Sequence, residues 1–196
     1  AVFVNSIGGN VLSSTNEISV PRHRMYDDEY FKKVADTVLF TAKNSGASYS
    51  DFRLSNFRSQ NVSTREQVIQ SIRDNENFGF AVRVIIDGTW GFAASSTFSE
   101  DEAVRMTKIA CETAKANKRI QTNKVELVPT PSYNETWTTP IKKNAFEVTI
   151  DDKVNFLFNI NEKAKNLGAD FCSSFIWAVN EWKYFASSEG SYIKQD

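Results

Sequence analysis

One histidine and two cysteines among 196 residues exclude more chemistry than any other feature of this sequence. A zinc site takes three or four nitrogen, sulfur or oxygen ligands at set spacing, and a lone histidine cannot supply the usual set. That residue, His23, sits in Pro21-Arg22-His23-Arg24 and reads as a solvated loop histidine. Cys111 and Cys172 have no Cys-x-x-Cys partners. Two cysteines make no disulfide framework, so both are expected as buried, reduced thiols. No serine or cysteine has a histidine base at hand in the folded core. Neither Gly8-Gly9 nor residues 88–91 match a nucleotide-binding spacing. No run approaches the roughly 18 apolar residues of a membrane helix. The formal net charge of −1 gives no basic field for nucleic acid. No catalytic, cofactor-binding or metal-ligating residue is assigned, and neither nucleic acid nor membrane is expected as a partner.

What the sequence does have is a strong hairpin signal at residues 78–95. Phe80, Val82, Val84 and Ile86 alternate with the period of a strand that has one face in a core. Asp87-Gly88 follows, and such a pair suits a type I′ turn, which needs φ > 0 at both central residues. Gly79 and Gly91 lie inside the strands, where a glycine marks a bulge or a close backbone approach. The approaching group is either the chain's own backbone or a peptide. Arg83 falls on the face opposite Phe80 and Val82, where an ion pair on a solvated sheet face is expected.

With 41% hydrophobic residues the chain can fill one good-sized core or two small ones. Residues 1–26 read as an extended arm: Ala1–Val4 is apolar and Gly8-Gly9-Asn10 is flexible. A helix follows, with Asp27, Asp28 and Glu29 at its start and Phe31, Val34, Ala35, Val38 and Ala42 on one face. Gly46 is its expected left-handed cap. Strands are expected at 49–60 and 65–73, with Asp74-Asn75-Glu76-Asn77 as a polar turn into the hairpin. Ser99 and Glu102 form a capping box that opens a second helix reaching Asn117. Residues 118–133 are linker-like. Thr149 and Asp152 open a third helix, followed by a strand at 169–179 and a hairpin partner at 181–187. Ser188-Glu189-Gly190 then turns into a last partial strand, which suggests a polypeptide that continues past Asp196.

Lys43-Asn44-Ser45-Gly46-Ala47-Ser48-Tyr49 echoes Lys165-Asn166-Leu167-Gly168-Ala169-Asp170-Phe171. Each lies at a helix end and leads into a strand. The chain is therefore expected to be α+β, an antiparallel or mixed sheet with helices packed on one side and a duplicated helix-strand-strand unit. The first unit covers 27–124 and the second 125–196. Asp151-Asp152 and Glu100-Asp101 sit at helix starts, where capping explains them. Trp90, Trp137, Trp177 and Trp182 read as core or interface aromatics. Asn61-Val62-Ser63 and Asn134-Glu135-Thr136 fit the glycosylation pattern, which is common by chance.

Gly46-Ala47-Ser48-Tyr49-Ser50-Asp51, Gly79-Phe80-Ala81-Val82-Arg83-Val84, Gly88-Thr89-Trp90-Gly91-Phe92-Ala93 and the alanine-rich helix after them resemble the N-terminal region of the TldD/PmbA family. Phe185-Ala186-Ser187-Ser188-Glu189-Gly190 is similar to the family's second segment. The family is also called modulator of DNA gyrase. The resemblance implies an α+β region ahead of a β-rich zinc metallopeptidase domain, whose HExxxH helix carries two zinc-binding histidines and a glutamate base. It implies homodimers or heterodimers with a paralogue, and unfolded peptides or peptide precursors as substrates. It also implies a cytoplasmic protein, or an exported one if Ala1–Val4 is the remnant of a signal. No HExxxH occurs in these 196 residues, so no zinc ligand or catalytic residue carries over. Either the catalytic domain lies outside this sequence, or the chain belongs to a subunit without a zinc site.

Overall fold

The computed structural model describes residues 21–196. The readings placed on Ala1–Val4 and Gly8-Gly9-Asn10 lie outside them. Three helices, α1 (Asp28–Asn44), α2 (Glu100–Asn117) and α3 (Ile150–Asn166), lie on one side of a mixed sheet. Its strands are β1 (Tyr49–Arg65), β2 (Val68–Ile86), β3 (Thr89–Ser95), β4 (Asn134–Trp137), β5 (Ser173–Ser187) and β6 (Tyr192–Gln195). Their order is β3-β2-β1-β5-β6-β4, antiparallel throughout except for the β4–β6 pair. This is the expected α+β class.

Local chemistry accounts for the helix ends. Asp27 caps α1, its carboxylate accepting from the Tyr30 N–H at 2.7 Å. Ser99 caps α2 through the Glu102 N–H, and Thr149 caps α3 through the Asp152 N–H. The reciprocal half of the α2 capping box is replaced: Glu102 turns to Arg105 at 2.7 Å. Helices α1 and α3 stop in the same way. Gly46 and Gly168 hold φ of +90° and +98°. The N–H groups of Ala47 and Ala169 reach back to the carbonyls of Ala42 and Ala164. This six-to-one bond is the Schellman closure, and it is what the sequence echo encodes.

The duplication extends beyond the helix ends. Asp28–Asn44 and Ile150–Asn166 are both 17 residues long and stand 122 positions apart. β1 ends at Arg65 and β5 at Ser187, the same separation. β1 and β5 are antiparallel neighbours, and Arg58 lies opposite Asn180, again 122 positions on. The two α-β units are thus related by a local twofold axis through the Arg58–Asn180 pair, and the strands of both units form one sheet.

Even-numbered residues of β1, β2 and β5 face the helices. Phe52, Leu54, Val82, Val84, Tyr184 and Ala186 are buried there against Phe31, Val34 and Val38 of α1. Each large apolar side chain so buried is worth about 1.5–3 kcal/mol before entropy is counted. Ala103, Ala110 and Ala114 let α2 lie close over β2 and β3. The core under α3 is smaller, built on Val62, Val154 and Leu157. Beside it lie buried polar groups: Asn161 donates to Thr64 Oγ1 at 3.0 Å, and the Lys153 ammonium donates to Gln60 Oε1.

Two expected turns are strand instead. Residues 74–77 continue β2, because Asp74 meets Arg58 at 2.9 Å and Gln60 at 2.9 Å across the ladder, and Glu76 receives Asn56 at 2.9 Å. The true turn is Glu66-Gln67, with Glu66 at φ +53°. The break expected near Asn180 is likewise absent, and β5 runs unbroken for 15 residues because β1 pairs it throughout. The Asp87-Gly88 turn forms as expected, with φ of +53° and +78°.

Candidate functional site

The odd-numbered residues of β1, β2 and β5 face away from the helices. Small side chains dominate the middle of this face. Ser55 stands opposite Gly79 on one side and Lys183 on the other, and Ala81 stands opposite Ala94. Larger groups rise around them: Phe57, Phe185, Arg53, Lys183 and Glu181. The result is an open groove of about 820 Å³ that reaches the part of β2 at Glu76–Gly79, past the end of β3. The Cβ that Gly79 lacks would stand 2.9 Å from the Ser95 carbonyl oxygen, so the backbone close to Gly79 is the chain's own.

One end of the groove is fixed by Asp51. Its carboxylate is fully buried, yet it lies on the open face. Arg83, directly opposite on β2, donates to it through Nη2 at 2.6 Å and Nε at 2.9 Å. Arg53 adds a bond at 2.9 Å and the Tyr49 hydroxyl one at 3.0 Å. Burial, then the Asp51 charge, push the Tyr49 phenol up to about 12, so it stays a donor. The Arg83 guanidinium also lies 4.9 Å from the Trp90 ring centre, and that of Arg53 5.4 Å from Phe185. The ion pair expected at Arg83 therefore exists, with a buried partner. Asp51 carries no mark of its own in the sequence; the usable signal was that Asp51, Arg53 and Arg83 share one face by alternation.

Two of the groove's cations are paired, Arg53 with Asp51 at 2.9 Å and Lys183 with Glu181 at 2.9 Å. The Tyr49 hydroxyl at its end donates to the Asp51 carboxylate and is held protonated by burial. The arrangement suits binding and positioning rather than proton transfer.

His23 departs from its expected place. It is only 6% exposed, in the single turn Arg22–Met25, with its ring stacked on Trp182 at 4.6 Å. The partner that buries it is far away in sequence, which is why local polarity misled. His23 Nδ1 and Asn56 Oδ1 are buried without a hydrogen-bond partner among the described residues. His23 and Trp182 also line a second pocket of about 250 Å³, with Trp137, Lys194 and Asp196. Burial, then Arg24, hold the His23 pKa below its usual 6.5. The unfolded chain therefore takes up this proton first as pH falls. Stability from this source is level above about pH 6.5 and is lost through the window below it. His23→Phe keeps the stack and removes the proton. Between about pH 7.5 and pH 5.5 the wild-type melting temperature should fall more than the variant's, and equal slopes would refute this.

Cys111 is buried in α2, with its thiol pushed up by burial. Cys172 is half-buried before β5, its sulfur 3.1 Å from Asn161 Oδ1. Neither lies with His23, and among the described residues no three histidine, cysteine, aspartate or glutamate side chains converge on one point. This donor set does not fit the zinc site that the family resemblance implies. Glu100 is engaged by Lys33 at 2.7 Å, and Asp152 by Thr149 at 2.8 Å. Trp137 and Trp177 are exposed. No described helix is long and apolar enough to cross a membrane.

Fold and groove together define an α+β domain that presents an open sheet face. Residues 50–114 match the family model described as PmbA/TldA metallopeptidase domain 1, in line with the resemblance to the TldD/PmbA family. A metalloprotease of Methanocaldococcus jannaschii is 24% identical over 151 residues, 74% of this chain and 32% of its own length. The fold resembles that of a Bacteroides thetaiotaomicron protein named as a modulator of DNA gyrase, with a TM-score of 0.65 at 18% identity, covering 86% of this chain and 38% of that one. It also resembles TldE from Thermococcus kodakarensis, with a TM-score of 0.61 at 14% identity, covering 83% and 37%. The chain thus spans about a third of the length of the relatives it matches.

Proposed function

We propose that this chain is the N-terminal, non-catalytic region of a TldD/PmbA-type zinc metallopeptidase. It shapes the chamber that receives an unfolded peptide or peptide precursor in the cytoplasm, and helps to join two subunits. Zinc-dependent hydrolysis belongs to residues other than these. The observation that carries this reading is the match of residues 50–114 to the family's first domain, because that segment supplies much of the groove, from Arg53 to Ala94. The paired charges of the groove support a role in holding substrate.

The test is made on the complete gene product. It should encode an HExxxH helix and cleave an unstructured fluorogenic peptide, with loss of activity on chelation. Ala81→Trp should fill the groove and raise KM at least about tenfold while the protein melts near wild type. A complete reading frame without HExxxH would leave only a partner-subunit or peptide-binding role. An unchanged KM in Ala81→Trp would remove the groove from the substrate path.

A further inference from the structure

Every residue that lines the groove lies between Arg22 and Phe185. β1 crosses its floor with Arg53, Ser55 and Phe57, and Arg53 stands at the end that Asp51 fixes. Behind it rise Arg83 and Phe92, cross-strand neighbours on the same face, and the groove does not pass them.

The charges at this end do not cancel. One carboxylate, Asp51, is shared by two guanidinium groups, so one positive charge is left over. Arg83 takes the carboxylate through Nε and Nη2 together. Arg53 reaches it through Nε alone, at 2.9 Å. Its two Nη groups donate to no acceptor among the described residues, and 51% of the side chain is in water. The Nε bond and the Phe185 ring, 5.4 Å from the guanidinium, hold the planar fork in place, so little side-chain freedom remains to be lost on binding. Beside Arg53 the floor carries the small side chains Ser55, Ala81 and Ala94, with Phe57 and Phe185 around them. Space of that kind takes an apolar side chain.

We propose that Arg53 binds the C-terminal carboxylate of the peptide that enters the groove, with the last side chain of that peptide apolar and seated over Ser55 and Ala81. The free end of a guanidinium fork offers a carboxylate two parallel N–H donors. The position favours a chain terminus over an acidic side chain. A peptide that stops at Arg53 fits this end, and one that runs on meets Arg83 and Phe92. This role rests on the groove being the peptide path proposed above, and it fixes which end of the peptide lies there.

The probes are acetyl-Ala-Ala-Phe as the free acid, its carboxamide, and acetyl-Ala-Glu-Ala-Phe carboxamide, whose carboxylate is on a side chain alone. Each is titrated into the 196-residue chain while the arginine Nε–H signals are followed by NMR. The Arg53 signal is identified by its loss in Arg53→Gln. The free acid should shift that signal to saturation, and both carboxamides should bind at least about tenfold more weakly. Arg53→Gln leaves Asp51 paired with Arg83, so it should melt near wild type and bind the acid and its carboxamide alike. No shift with the acid, equal binding of acid and carboxamide by the wild type, or a preference that survives in Arg53→Gln overturns the proposal. So does binding of the glutamate peptide as tight as that of the acid, which means an acidic side chain. So does a shift of the Arg53 signal that grows with protein concentration alone, which means a carboxylate of a second copy. In the complete gene product the acid and its carboxamide, each extended at the N-terminus with a fluorogenic reporter, should differ at least about tenfold in KM. Absence of any hydrolysis there would remove the metallopeptidase reading, while the titration decides the role of Arg53 without it.

Discussion

Gly91→Val is expected to destabilise the protein by at least about 3 kcal/mol, the largest effect of any single change considered. A Cβ at Gly91 would stand 1.9 Å from the Ala110 carbonyl oxygen and 2.8 Å from the Ala114 nitrogen. Both are backbone atoms of α2, so no rotamer change relieves the overlap and the helix must lift from the sheet. Lifting it uncovers Ala103, Ala110 and Ala114, all fully buried. For a chain of this size each kcal/mol shifts the melting temperature by roughly 2–4 °C, so thermal melts should show a fall near 10 °C. The sequence allowed two readings of this glycine, a close packing of backbone or room for a peptide. The position of α2 decides for packing. A variant that melts within about 2 °C of wild type would defeat this account.

Asp51→Ala is expected to cost about 2–4 kcal/mol. Breaking a buried ion pair by removing one partner typically costs about 3–5 kcal/mol, because the other charge is left without compensation. Here Arg83 and Arg53 keep 34% and 51% of their side chains in water, which lowers the figure. What remains is the loss of the two-pronged bond from Arg83 and of the Tyr49 hydroxyl's acceptor. Asp51→Asn keeps an acceptor and should cost less. Urea unfolding of the three proteins gives the order directly: wild type, then Asp51→Asn, then Asp51→Ala. Were Asp51→Ala to lie within about 0.5 kcal/mol of wild type, the cluster would be an ordinary surface pair.

The positions that were legible beforehand share a physical trait. Asp27, Ser99 and Thr149 cap helices because a side-chain oxygen reaches an N–H only three residues on. The buried face of α1 repeats with the turn of the helix. Gly46 and Gly168 close their helices through bonds spanning five residues, which is why a seven-residue echo sufficed to reveal the duplication. The misread positions have distant partners. Asp74 and Glu76 look like turn residues until Arg58, Gln60 and Asn56 are set beside them. His23 looks solvated until Trp182 stacks on it. β4 shows no alternation of burial, all four residues being exposed, and exists through its parallel pairing with β6.

By itself, then, the sequence determined the α+β class, the three helices with their caps, the Asp87-Gly88 turn, the repeat and the family resemblance. All of these rest on interactions within a few residues or on the period of one face. Tertiary structure alone decided the length of β2 and β5, the burial of His23, the α2 backbone against Gly91, and the groove around Ser55 and Gly79. A groove is made by the register between strands far apart in the chain, and register is settled only when the helix-facing residues of β1, β2 and β5 enter one core together.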